Sequence, residues 1–108
     1  MQPHEVPTVS VAEIEPGAVL IDVREDDEWA AGHIDGALHI PMNQIPQQLN
    51  YRPEAFASDR PLVIVCAVGG RSAHVTAWLV NNGVEAVNLE GGMSAWAAAG
   101  KPMVAGSG

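Results

Sequence analysis

Cys66 is the one cysteine among 108 residues, and the types of its neighbours are those that could make a nucleophile of it. It directly follows the apolar run Leu62-Val63-Ile64-Val65 and precedes Ala67-Val68-Gly69-Gly70-Arg71-Ser72, which leads into a helical pattern. Two adjacent glycines open backbone conformations closed to other residues. Successive N–H groups can then turn inward around a sulfur, and a helix N-terminus adds positive potential. Such a cradle favours the thiolate. A thiol of pKa about 8.5 is only about 3% ionised at pH 7, and a fall to about 6.5 raises that to roughly three quarters. The gain is only about 25-fold, so the loop must also stabilise charge developing on whatever group is transferred. Taken alone, a single cysteine after an apolar strand is more often a small buried hydrophobe than a nucleophile.

The elements that must position this loop read as alternating strands and helices. Thr8-Val9 predicts a small strand, and Ser10-Val11-Ala12-Glu13 has the spacing of a capping box opening a short helix. Ala18 to Ile21 reads as a buried strand. Asp22-Val23-Arg24-Glu25 reads as a second box before a helix over Glu25 to Ala31, ended by Gly32. Ala37 to Ile40 is a brief strand, and Gln44 to Asn50 a helix in which Pro46 is tolerable only in the first turn. Leu62 to Val65 suits a central strand covered on both faces. The helix predicted over Ser72 to Asn82 carries Val75, Trp78 and Leu79 on one stripe and stops at Gly83. Ala86 to Leu89 is the last strand and Ser94 to Ala99 the last helix, ended by Gly100. This alternation predicts an α/β fold, a parallel sheet with helices on both faces and its site at the carboxyl ends of the strands.

Composition narrows the function. Hydrophobic residues make up 47% of the chain and charged ones 17%, which suits one globular domain over residues 1–108. Its core is expected at about 8–102, with a loose tail at Ala105-Gly106-Ser107-Gly108. No apolar run reaches membrane-spanning length. Met1-Gln2-Pro3-His4-Glu5 lacks the features of a signal peptide and the lone thiol suits a reducing compartment, so the cytoplasm is expected. A formal charge of −8, with no Lys/Arg cluster, argues against nucleic acid. One cysteine excludes a Cys-x-x-Cys redox pair, and His4, His39 and His74 have no ligand spacing, so no metal is expected.

The segment from Cys66 to Ser72 resembles the active-site loop of the rhodanese family: a cysteine and five further residues ending in Arg, then Ser and a helix. Asp22-Val23-Arg24-Glu25, then Glu28-Trp29-Ala30-Ala31-Gly32-His33-Ile34-Asp35-Gly36-Ala37, is similar to the family's first motif, and Ile40-Pro41 follows in order. Gly91-Gly92-Met93-Ser94-Ala95-Trp96 resembles its C-terminal motif. The resemblance implies a five-stranded parallel α/β sheet with the cysteine loop at its carboxyl edge. It also implies transfer of sulfane sulfur from thiosulfate or a persulfide donor to a thiol or cyanide acceptor, through a Cys66 persulfide and with no cofactor.

On that reading Cys66 is the nucleophile, and Ala67, Val68, Gly69, Gly70, Arg71 and Ser72 form the substrate-binding loop. Arg71, the loop's one cation, could pair with a nearby carboxylate and hold the loop, or touch substrate. Asp22 ends the strand expected beside that of Cys66. A general base there would raise the thiol pKa, so an N-cap or a hydrogen bond to the loop suits it better. Arg24 and Glu28, four apart, fit a surface pair, with bracing of the site as the family-like alternative. Asp26-Asp27-Glu28 reads as a solvated helix start. His33 suits a structural hydrogen bond, and Trp29, Trp78 and Trp96 suit core anchors.

Two other readings share the fold. One is a binding or regulatory module without turnover. The other is a phosphatase or arsenate reductase, but those loops resemble this one with an added residue, and Cys66 to Arg71 is the short form. One cation beside apolar Ala67 and Val68 further predicts a bulky persulfide donor over the thiosulfate dianion.

Overall fold

The computed structural model describes residues 5–106. Its sheet has five strands, all paired in parallel: β1 (Thr8–Val9), β2 (Leu20–Asp22), β3 (Leu38–His39), β4 (Leu62–Val65) and β5 (Ala86–Leu89), in the spatial order β1-β5-β4-β2-β3. The run Leu62-Val63-Ile64-Val65 takes the centre because it alone is apolar on both faces, and all four residues are buried. Its side chains divide by alternation. Leu62 and Ile64 join a core with Ile21, Ile45, Phe56, Val75 and Leu79, whereas Val63 and Val65 join a second with Val11, Ile34, Leu89, Met93 and Trp96. Helices α2 (Ile45–Tyr51) and α3 (Gly70–Asn81) therefore cover one face, and α4 (Gly92–Ala98) covers the other.

Several boundaries move for local reasons. The β2 strand extends through Asp22, which pairs with Val65, so Asp22 opens no helix. The cap of α1 (Asp26–Ala31) is Glu25, whose backbone N–H donates to the Glu28 carboxylate at 3.0 Å. That box is Glu25 to Glu28, one turn later than Asp22 to Glu25. The helix expected after Ser10 is a single 3-10 turn, Val11–Glu13, although its reciprocal contact forms, Ser10 N–H to Glu13 at 2.8 Å. Pro46 sits in the first turn of α2, as steric argument requires. A further 3-10 turn, Pro53–Phe56, buries Phe56 and has no clear periodic signal in sequence. α3 starts two residues early, at Gly70, and α4 likewise, at Gly92.

The chain end is tied back to α1. Val104 exchanges backbone hydrogen bonds of 2.8 Å with His33, and the Gly106 N–H donates to the Ala30 carbonyl at 2.9 Å. His4, Ser107 and Gly108 lie outside the described residues. Among the described residues, no helix is long and apolar enough to cross a membrane.

Candidate active site

Cys66 lies at the carboxyl end of β4, in the loop before α3. Its Sγ accepts hydrogen bonds from the Gly69 N–H at 3.0 Å and the Ser72 hydroxyl at 3.3 Å. The first requires Gly69 to turn its amide toward the sulfur at φ +108°, a left-handed conformation that disfavours any side chain. Burial pushes the Cys66 thiol up. The Ser72 hydroxyl and the N–H groups of Ser72, Gly69 and Val68 outweigh that, so the thiol rests below its ordinary value. The predicted cradle is present. Cys66 is 1% exposed, whereas Val68, two residues on, is 69% exposed.

The loop's outer wall comes from a motif whose role the sequence did not reveal. Gly92 stands so close to the loop that a Cβ there would lie 2.2 Å from the Cys66 carbonyl oxygen, and its own φ is +53°. With no side chain in the way, the first turn of α4 reaches the loop. Met93 N–H donates to the Cys66 carbonyl at 2.9 Å and Ser94 N–H to that of Ala67 at 3.0 Å. Those two bonds turn the loop carbonyls away from the sulfur and leave its amides facing inward.

Arg71 does not point free. Its Nη1 and Nη2 donate to the two carboxylate oxygens of Glu28 at 2.6 and 2.8 Å, joining α3 to α1 across 43 positions of sequence. This bidentate contact holds Glu28 down to about 2 and raises Arg71. Glu28 is therefore neither a solvated helix start nor the partner of Arg24. Arg24 is itself buried, with Nε and Nη2 donating to Asp22 at 2.8 to 3.1 Å and Nη2 also to the Gly32 carbonyl at 2.7 Å. Asp22, 2% exposed, further accepts the Arg24 N–H, so its hydrogen bonds go to Arg24 and not to the cysteine loop.

His33 is buried with Nδ1 2.8 Å from the Trp29 carbonyl, a structural contact as expected. Trp29 stacks on both His33 and His39, at 3.6 and 4.6 Å between ring centres, and so anchors two imidazoles. Trp96 joins the core on one face and Trp78 packs at the edge of the other. His74 lies on α3.

The rhodanese-like domain family matches residues 9–99. The chain belongs to that family. YtwF of Bacillus subtilis (strain 168) is 45% identical over 83 residues, 77% of each chain. A protein of Allochromatium vinosum named sulfurtransferase is 42% identical over 88 residues, 81% of this chain and 78% of its own. Among solved structures, a rhodanese-like domain protein from Staphylococcus aureus is 41% identical with a TM-score of 0.70, covering 83% of this chain and 90% of that one.

Proposed function

We propose that this rhodanese-like chain is a sulfurtransferase that carries sulfane sulfur as a persulfide on Cys66. The observation that carries the reading is the sulfur itself, placed at a strand end with the Gly69 amide and the Ser72 hydroxyl directed at it. The Cys66 thiolate attacks the outer sulfur of a donor. A new S–S bond forms, the donor's S–S bond breaks, and its electron pair leaves as sulfite from thiosulfate or as a thiolate from a persulfide. An acceptor thiolate or cyanide then attacks the outer sulfur and restores the Cys66 thiolate. Charge and electrons balance in both steps, which need no cofactor.

The same geometry favours one class of donor. Arg71, the loop's one cationic side chain, has both terminal nitrogens occupied by Glu28, so its charge is largely answered before any anion arrives. The large side chain exposed beside the sulfur is apolar Val68. A low-molecular-weight or protein persulfide fits that rim better than the thiosulfate dianion does.

Intact-protein mass after exposure to thiosulfate, and separately to a small persulfide, tests the reading. One added sulfur atom, removed by cyanide or thiol, is expected in the wild type and absent from Cys66→Ser. An adduct that persists in Cys66→Ser would assign the wrong nucleophile. Failure of every donor to load the wild type favours a binding module without turnover.

A further inference from the structure

The Ser72 hydroxyl is asked to do two things with one proton. Its Oγ lies 3.3 Å from Cys66 Sγ and 2.5 Å from Asn88 Oδ1, yet a serine hydroxyl donates only once. Ser72 is wholly buried and Asn88 nearly so, which leaves little room for water to settle the competition. Asn88 is the unexpected member. It stands on β5 beside the cysteine strand, 16 residues from Ser72, in a run that reads only as strand.

We propose that Asn88 is a positioning residue which, through Ser72, aims the hydroxyl proton toward the Cys66 sulfur when the sulfur is anionic and away when it is protonated. This deepens the sulfur-carrier reading of Cys66 and rests on it. With a neutral thiol, Cys66 S–H donates to Ser72 Oγ, and Ser72 O–H donates to Asn88 Oδ1. When the thiol proton leaves for bulk water, the chain reverses: Asn88 Nδ2–H donates to Ser72 Oγ, and Ser72 O–H donates to the thiolate. The two ends of the amide are nearly the same shape, so a half-turn of the side chain exchanges them without repacking. An amide offers both a donor and an acceptor from one position, which a carboxylate or a hydrocarbon does not. A donor behind Ser72 also polarises its O–H, strengthening the bond to sulfur. The amide nitrogen of Asn88 lies against the loop itself, since a Cβ at Gly69 would stand 3.8 Å from Nδ2.

The charged and titratable groups on elements around the loop are Arg71 and His74 on α3, Glu25, Asp26, Asp27 and Glu28 at the start of α1, Asp22 at the end of β2 and Arg24 after it, His39 on β3, and Glu90 after β5. Glu28 and Asp22 are tied to arginines, and among the described residues no charged side chain hydrogen-bonds to Sγ. Ser72 and its amide partner are thus the side-chain hydrogen-bond route to the sulfur's charge, with Arg71 acting on it only through space.

Because Cys66 is the one cysteine, the pH dependence of its alkylation by iodoacetamide reads its ionisation cleanly in the full chain. Asn88→Leu, which removes both the amide oxygen that competes for the Ser72 proton and the donor behind Ser72, should shift the apparent pKa by about half a unit or more, a change of about threefold in alkylation rate below that pKa. In a Ser72→Ala background the same change should do nothing, since the route to sulfur is already cut. An equal shift with and without Ser72, or no shift in either, overturns the proposal. Asn88→Ala, which adds no bulk, is run beside it, and thermal melting identifies any variant that has lost its fold. The titration needs no sulfur donor, so the two ideas fail separately. Coupling between Asn88 and Ser72 in a protein that no donor loads would leave the relay standing and remove the sulfurtransferase.

Discussion

Two arginine–carboxylate pairs brace this protein, and they do different work. Asp22 and Arg24 are two residues apart, with side chains 2% and 8% exposed. Glu28 and Arg71 are 43 apart, with side chains 29% and 33% exposed. The buried pair sits at the end of β2 and, through the Arg24 bond to the Gly32 carbonyl, fixes where α1 ends. The outer pair uses that fixed helix as an anchor and holds the first turn of the cysteine helix to it. One pair is a foundation and the other a tether, so breaking them should separate stability from activity.

The largest effect is expected at the foundation. Arg24→Met leaves the Asp22 carboxylate buried with a backbone N–H but no cation, which costs about 3–5 kcal/mol. That is a large part of the 5–15 kcal/mol typical of a whole domain. Urea denaturation should show the loss in full, and a midpoint within error of the wild type would mean that water already reaches Asp22. Replacing Asp22 and Arg24 together by apolar residues should recover much of the stability, because the uncompensated charge is then gone.

At the tether the balance reverses. Arg71→Ala should cost at most about 1 kcal/mol of stability, as for other partly exposed pairs, but should cut sulfur loading of Cys66 severalfold by loosening the loop. Arg71→Lys should recover only part, since a point charge does not reproduce a bidentate fork. Unchanged loading rates in both variants would make the tether irrelevant to the site. Acid should loosen the same contact. Glu28 is held at about 2 against an ordinary value of 4.5, so its contribution is present above about 4.5 and is lost as pH falls toward about 2. A Glu28→Gln variant should show a flatter fall in stability over that window, and parallel acid curves for the two proteins would contradict the assignment.

The difference between the pairs also explains what was legible in the sequence. The strand run Leu62 to Val65, the glycine-bearing loop and the stop at Gly83 are local signals, and the structure places all three where they were expected. Arg24 and Glu28 were four apart and so looked like partners on one helix. Arg24 lies before the first helical residue, Asp26, and so never shares a helical face with Glu28. The true partner of Glu28 depends on the packing of α1 against α3, which no short spacing reports. Asn88 and Gly92 were hidden for the same reason. Each acts on a loop more than 15 residues away, and each reads locally as an ordinary strand residue or helix start. The nearest available clue was the doubled glycine Gly91-Gly92, placed where a helix begins and costly unless something must come close.

The smallest effect, and the one that bears most directly on substrate choice, concerns charge left over after both pairs have formed. Neither arginine offers an unoccupied fork to an incoming anion, and the protein as a whole carries a formal −8. Thiosulfate should accordingly be a poorer donor than a small persulfide when kcat/KM is compared for the two. Val68→Lys adds a cation at the exposed rim without touching either pair, and two unit charges about 4 Å apart in water are worth about 1 kcal/mol. For a dianion, after screening over about 8 Å at physiological salt, the gain in kcat/KM should be about three- to tenfold, shrinking as salt is raised. The persulfide donor should gain less because it carries less charge. Glu28→Gln provides the complementary route, since it returns Arg71 to the solution. If it raises thiosulfate affinity while lowering the rate of sulfur loading, the outer pair both orders the loop and withholds its charge. A wild-type preference for thiosulfate, with no gain from the added lysine, would mean that the inward N–H groups of Val68, Gly69 and Ser72 already supply the positive potential the donor needs.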